Sequence, residues 1–183
     1  MKVLFRHGLC DHNIENRISC SLDSKSELTE KGKELVLESA LELKKNYNWY
    51  FRKNSDIKVF CSPLLRTKQT AKILCDTLEI DFDKVIYDER LKEAQYGTYD
   101  EGPVSNLPYD VYDMDNFQDH GSETYFDIES RIRSFLRDTN PCMPPQHYTH
   151  LIVSHALPIR VMHKMLTEIN DKVKVAKYFI VNQ

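Results

Sequence analysis

Lys2-Val3-Leu4-Phe5 runs directly into Arg6-His7-Gly8. An apolar run this short, stopped by a polar turn, predicts a buried strand that delivers charged side chains at its end. The same figure recurs. Ile57 to Cys61 is apolar and stops at Ser62-Pro63, and His150 to Val153 is apolar and stops at Ser154-His155. Val85 to Tyr87 reads as a further short strand. Between these runs the spacing turns helical. Thr29 is placed to cap a helix that carries Leu35, Ala40, Leu41 and Leu43, and a second pattern passes through Thr70, Ala71, Ile73, Leu74 and Leu78. A third helix is expected from Glu123 to about Leu136, on Ile128, Ile132 and Phe135, and a fourth from Leu157 to about Leu166. Val173 to Val181 fits either a helix or a strand. Strands alternating with helices predict the α/β class with a mainly parallel sheet, whose ligands gather outside the carboxyl ends of the strands.

The bulk properties narrow the field. The chain has 183 residues, of which 41% are apolar and 29% charged, which suits one domain over 1–183 with a packed core. A formal net charge of −3 argues against nucleic acid or an anionic membrane as the partner. Five cysteines, Cys10, Cys20, Cys61, Cys75 and Cys142, form no C-x-x-C pair, so a reducing cytoplasm is the expected setting. The opening apolar run is too short for a signal peptide, and no later stretch is long enough to span a bilayer. Oligomeric state has no signature in the sequence.

The strand ends carry the chemistry. Arg6 and His7, Arg66 and His155 follow three different strands, and a parallel sheet brings such points to one edge. Two guanidinium groups and two imidazoles there make an anion pocket, since guanidinium donors match phosphate oxygens in pairs. Gly8 permits close backbone approach to a bound anion. Phosphoryl transfer also needs a nucleophile, which a neutral imidazole can be, and an acid for the leaving oxygen. Glu93, in Arg90-Leu91-Lys92-Glu93 after the third strand, is placed to be that acid.

These residues resemble the histidine phosphatases, the superfamily that includes cofactor-dependent phosphoglycerate mutase. The signature triplet is Arg6-His7-Gly8, and Asn13 and Arg17 match the Asn and Arg that follow it. Leu28-Thr29-Glu30-Lys31-Gly32 is similar to the family's "LTxxG", and Ser62 to Ala71 to its "SPLxRTxQTA". Leu91-Lys92-Glu93 with Glu101-Gly102, and Val153-Ser154-His155 with Ile159-Arg160, complete the series in the family's order. The resemblance implies a three-layer α/β/α sandwich of the phosphoglycerate mutase-like type. It implies phosphomonoester hydrolysis through a phosphohistidine at His7, with Arg6, Arg66 and His155 on the phosphoryl oxygens, Asn13 beside them, and Glu93 as acid and then base. It implies a small phosphorylated substrate, no metal and no organic cofactor. His147 and His150, three apart across a loop and a strand, do not read as a metal site.

The chain also departs from the family pattern. Leu9 and Cys10 stand where Glu and Thr or Ser are usual, which puts a polar contact to the phosphate in question. Ala156 replaces a Gly, and Ser122-Glu123-Thr124 replaces Gly-Glu-Ser. Asn182 falls where the family opens its last strand, so either that edge strand is absent or the sequence is a truncated form. Residues 94–122 form an acidic, Tyr-rich segment that reads either as a solvated loop or as a lid whose aromatic groups meet the leaving group. Two other activities compete with hydrolysis: phosphoglycerate mutase-type transfer, against which the short segment after Glu93 and the short tail argue, and a catalytically weak phospho-ligand-binding module.

Overall fold

The computed structural model describes residues 1–51, 56–107, 121–140, 148–172 and 174–181. A five-stranded sheet forms the centre, with strands β1 (Lys2–Arg6), β2 (Asp56–Cys61), β3 (Ile86–Tyr87), β4 (Tyr148–Ser154) and β5 (Tyr178–Val181) in the order β3-β2-β4-β1-β5. The first four are mutually parallel, and β5 runs antiparallel to β1.

The helices are α1 (Asp11–Ile14), α2 (Glu30–Tyr47), α3 (Leu65–Leu78), α4 (Tyr125–Thr139) and α5 (Ala156–Thr167). Alternation along each strand explains the layering, because successive side chains point to opposite faces. Val3 and Phe5, Val59 and Cys61, and Leu151 and Val153 face one way and pack with Val36, Ala40 and Leu43 of α2 and Leu74 of α3. Leu4, Phe60 and Ile152 face the other way, onto Ile128, Ile132 and Phe135 of α4 and Ile159 and Met162 of α5. The result is a three-layer α/β/α sandwich. Val3, Leu4 and Phe5 are all fully buried, which is why β1 reads as a continuous apolar run rather than an alternating one.

The caps set the helix starts. Thr29 Oγ1 accepts from the Gly32 N–H at 3.0 Å. Thr124 and Asp127 cap each other, with Thr124 N–H to Asp127 Oδ2 at 2.8 Å and Asp127 N–H to Thr124 Oγ1 at 3.2 Å. That box starts α4 at Tyr125, two residues after the expected position. Between Val173 and Val181, which fit either a helix or a strand, Tyr178–Val181 is an edge strand paired antiparallel with β1. Among the described residues no helix is long and apolar enough to cross a membrane.

Candidate active site

Adjacent strands deliver the predicted residues to one edge. β1 ends in Arg6 and His7, and the His7 N–H continues the ladder to Ser154 O at 3.1 Å. β4 ends in Ser154 and His155. β2 ends at Cys61; the N–H of Ser62, the next residue, reaches Val153 O at 3.0 Å, and α3 begins three residues after Ser62. Arg66, Thr70, Leu74 and Leu78 recur every four residues on the buried face of α3. Arg66 is therefore the top of a core-facing stripe and is turned toward the strand ends.

His7 is 2% exposed, and its Nδ1 lies 2.7 Å from Gly8 O. A carbonyl only accepts, so Nδ1 carries the proton. Arg66 Nε–H donates to Nε2 at 3.2 Å, and a guanidinium only donates, so Nε2 holds the lone pair. The two contacts specify the same neutral tautomer. Burial, then the Arg66 and Arg6 charges, hold the imidazole well below its usual pKa of 6.5, although the Gly8 carbonyl pulls the other way.

His155 is fully buried. Its Nδ1 accepts from Arg66 Nη2 at 3.1 Å, which leaves Nε2–H to donate to Ser62 Oγ at 2.8 Å. Burial, Arg66 and His7 lower its pKa likewise. Arg66 gives its remaining bonds to Ser19, through Nη1 to Oγ at 3.2 Å and Nη2 to the carbonyl at 2.7 Å. None of these partners bears a negative charge. A guanidinium 3% exposed and bonded to neutral groups is an electrostatic site for an anion.

The cavity in front of these groups holds about 130 Å³. Arg6, His7, Asn13, Arg66 and Glu93 all line it. His155 does not reach the wall. It sits behind Arg66, while the next two residues, Ala156 and Leu157, do line the cavity. Glu93 is partly buried, and its Oε1 accepts from the Ala94 N–H at 3.0 Å.

Position 10 is resolved by the geometry of α1. Cys10 caps that helix, and its N–H and thiol both donate to Asn13 Oδ1, at 3.2 and 3.1 Å. The thiol serves the loop, and it leaves the Asn13 amide NH2 as the end that can donate elsewhere. Gly8 is corrected in part. A Cβ there would stand 2.6 Å from Val36 Cγ2 and 2.9 Å from Gly32 O, so this glycine is required by the approach of α2. Ser19 and Thr70 contact the predicted site residues and were missed by sequence reasoning. Thr70 lay in the quoted motif, and its Oγ1 takes the Gly8 N–H at 3.1 Å. Ser19 had no local signal.

The described part of the acidic segment is docked. Ile18 N–H bonds to Gly102 O, Val104 N–H to Asn16 O, and Cys20 N–H to Asp100 Oδ1 at 2.8 Å. Glu101 Oε2 meets His12 Nε2 at 2.7 Å, and its carbonyl receives the Arg17 guanidinium. Tyr96 and Val104 line the cavity. Asp110, Asp113, Asp115, Asp119, Tyr109 and Tyr112 lie outside the described residues, as do Cys142 and His147.

Comparison with known proteins converges on one family. A fructose-2,6-bisphosphatase, TIGAR, of Xenopus tropicalis is 34% identical over 83 residues, which is 43% of this chain and 30% of that protein. The match thus spans less than a third of the length of that relative. A mycobacterial glucosyl-3-phosphoglycerate phosphatase, in a complex with VO3, superposes with a TM-score of 0.72 at 22% identity, over 96% of this chain and 89% of that one. A mycobacterial hydrolase superposes with a TM-score of 0.74 at 22% identity, over 96% and 86%. At that identity these two show the fold alone. The profile of the histidine phosphatase superfamily (branch 1) covers residues 3–174, nearly the whole chain. The sheet edge described above thus belongs to a member of the histidine phosphatase superfamily, branch 1.

Proposed function

We propose that this chain hydrolyses phosphate monoesters of small molecules through a phosphohistidine at His7. The observation that carries the reading is the His7 tautomer: a neutral ring, Nδ1–H held by Gly8 O, and the Nε2 lone pair accepting from Arg66, with both residues on the cavity wall. In the first step the Arg66 Nε–H passes from Nε2 to a phosphoryl oxygen, the freed Nε2 lone pair attacks phosphorus, the bond from phosphorus to the leaving oxygen breaks, and that oxygen takes the Glu93 proton. In the second, Glu93 as carboxylate takes a proton from water, the water oxygen attacks phosphorus, and the N–P bond breaks to release phosphate. Arg6, Arg66 and Asn13 hold the phosphoryl oxygens, and His155, which does not reach the cavity, orients Arg66 by accepting from its Nη2 while donating to Ser62. A cavity of about 130 Å³ accommodates a phosphoryl group, and His12, Arg17 and Tyr96 on the same lining are available to contact the leaving group. The activity named for the Xenopus relative makes phosphorylated sugars the first compounds to screen. The buried free thiols of Cys10, Cys20, Cys61 and Cys75 suit a reducing cytoplasm.

The test is phosphate release from a panel of phosphometabolites by wild type and His7→Ala, with denaturation at alkaline pH and mass spectrometry of the protein before and after acid treatment. The expected result is turnover and an acid-labile adduct of one phosphoryl group on His7, both lost in the variant. Absence of turnover and adduct in wild type across the panel would establish a phospho-ligand-binding module instead.

A further inference from the structure

Glu93 stands on a segment with little regular structure. A single turn, Glu89–Leu91, precedes it and another, Gly97–Tyr99, follows. A catalytic acid on such a segment needs its backbone held from outside. The holding groups come from α4 and the residues before it. Arg131 Nη1 donates to the carbonyl of Arg90, three residues before Glu93. Glu123 Oε2 accepts the N–H of Gln95, two residues after it, at 2.9 Å, and the Glu123 N–H donates to Gln95 O at 2.9 Å. Arg131 and Glu123 are joined to each other, Nε to Oε1 at 2.8 Å and Nη2 to Oε2 at 3.1 Å.

We propose that the Glu123–Arg131 pair is a positioning device for the acid, one clamp that closes on the backbone to both sides of Glu93. The inference rests on Glu93 as the acid of the reaction. The two side chains are only 19% and 16% exposed. A half-buried ion pair is a weak source of stability, since desolvation offsets its attraction. This pair does something an apolar replacement could not: it satisfies a backbone carbonyl and a backbone N–H on the acid's segment while fixing the distance between them. Two other contacts tie the same segment down. Ser154 Oγ–H donates to Leu91 O at 2.7 Å, and Arg90 Nη1 reaches Asp138 Oδ2 on α4 at 2.6 Å. The acid is thereby referenced both to α4 and to the strand end that carries His155.

The experiment uses leaving-group dependence, which a general loss of fold would not alter. An aryl phosphate such as p-nitrophenyl phosphate releases a stable phenolate and needs little help from an acid, whereas an alkyl phosphate needs the proton. The quantity compared is kcat/KM, which reports transfer to His7 and not the later hydrolysis. Glu123→Ala should lower kcat/KM for the alkyl phosphate by roughly 10²-fold, the effect of about 1 Å of misplacement, and for the aryl phosphate by under about threefold. Glu93→Gln should show the same selectivity, and Glu123→Gln, which keeps an acceptor for Gln95, should fall between. Arg131→Lys gives a second, milder opening of the clamp should Glu123→Ala fold poorly. Equal losses on both substrates, or no loss, in the clamp variants while Glu93→Gln stays selective would overturn the clamp and leave the acid in place. No selectivity in Glu93→Gln would remove the acid assignment, and the clamp with it.

Discussion

Gly32→Ala should destabilise the protein, against the rule that alanine improves a helix. Helix propensity alone predicts a gain of about 1 kcal/mol. The geometry opposes it. A Cβ at position 32 would stand 2.0 Å from Leu9 O, 2.9 Å from Leu9 C and 3.0 Å from Leu9 N. All three are backbone atoms, so no rotamer change gives relief. Restoring ordinary contact means moving α2 and the loop after His7 apart by roughly 1–1.5 Å. Overpacking of this kind costs ~1–3 kcal/mol. Leu9 O also accepts from Thr29, from N at 3.0 Å and Oγ1 at 3.3 Å, and losing one such bond costs ~0.5–1.5 kcal/mol. The balance is roughly 1–3 kcal/mol against folding, or about 2–4 °C in Tm for each kcal/mol. The assay is urea unfolding of wild type and Gly32→Ala, with Glu38→Ala on the exposed face of α2 as the control for alanine itself. Because Leu9 is two residues from His7, kcat should fall about 10²-fold in parallel. A Gly32→Ala protein as stable and as active as wild type would refute the packing argument.

Two further outcomes follow from the site. His7 and His155 are held neutral when folded but titrate near 6.5 when unfolded, so the unfolded state binds more protons below that pH. Their contribution is complete above pH 6.5 and is lost as pH falls, at about 1.4 kcal/mol per pH unit for each. Urea midpoints between pH 6.5 and 5 should drop steeply in wild type and less in a His7→Asn, His155→Asn double variant, and parallel slopes would contradict the reading. Arg66→Lys should lower kcat/KM by ~10²–10³-fold, because one ammonium cannot replace donors that reach His7, His155 and Ser19 together. Steady-state kinetics and inhibition by inorganic phosphate check this, and a loss below about tenfold would show that Arg66 is not the anion's main partner.

The parts of the fold legible in the sequence are those whose burial is symmetrical. Val3, Leu4 and Phe5, or Leu151, Ile152 and Val153, are enclosed on both faces, so their apolar runs can only be interior strands. β5 was hidden for the opposite reason. Tyr178, Phe179 and Ile180 are apolar but only partly covered, so neither the period of a strand nor that of a helix stands out. Arg6, His7, Arg66 and His155 were legible because parallel topology sends strand ends to one edge. Ser19 was not, because its contact with Arg66 depends on where a long loop comes to rest. The docking of Asp100 and Glu101 was equally out of reach. Composition marks both as candidates for solvent, while their partners, Cys20 N–H and His12, lie far away in the chain.

The strand order has a consequence for how the chain matures. Within the described sheet β1 comes first along the chain, yet its two neighbours are β4 and β5: Lys2 aligns with His150 on one side and Val181 on the other. During synthesis this apolar segment must therefore wait, unpaired, until the chain has passed His150. Closing so long a loop is slow, and the waiting segment is a target for misassociation and for chaperones. The same delay makes the pocket a late event. His7 and Arg66 can be synthesised early, but the strand order keeps them apart until β4 has entered between β2 and β1. Affinity for phosphate or vanadate during refolding would thus report completion of the sheet rather than formation of any helix.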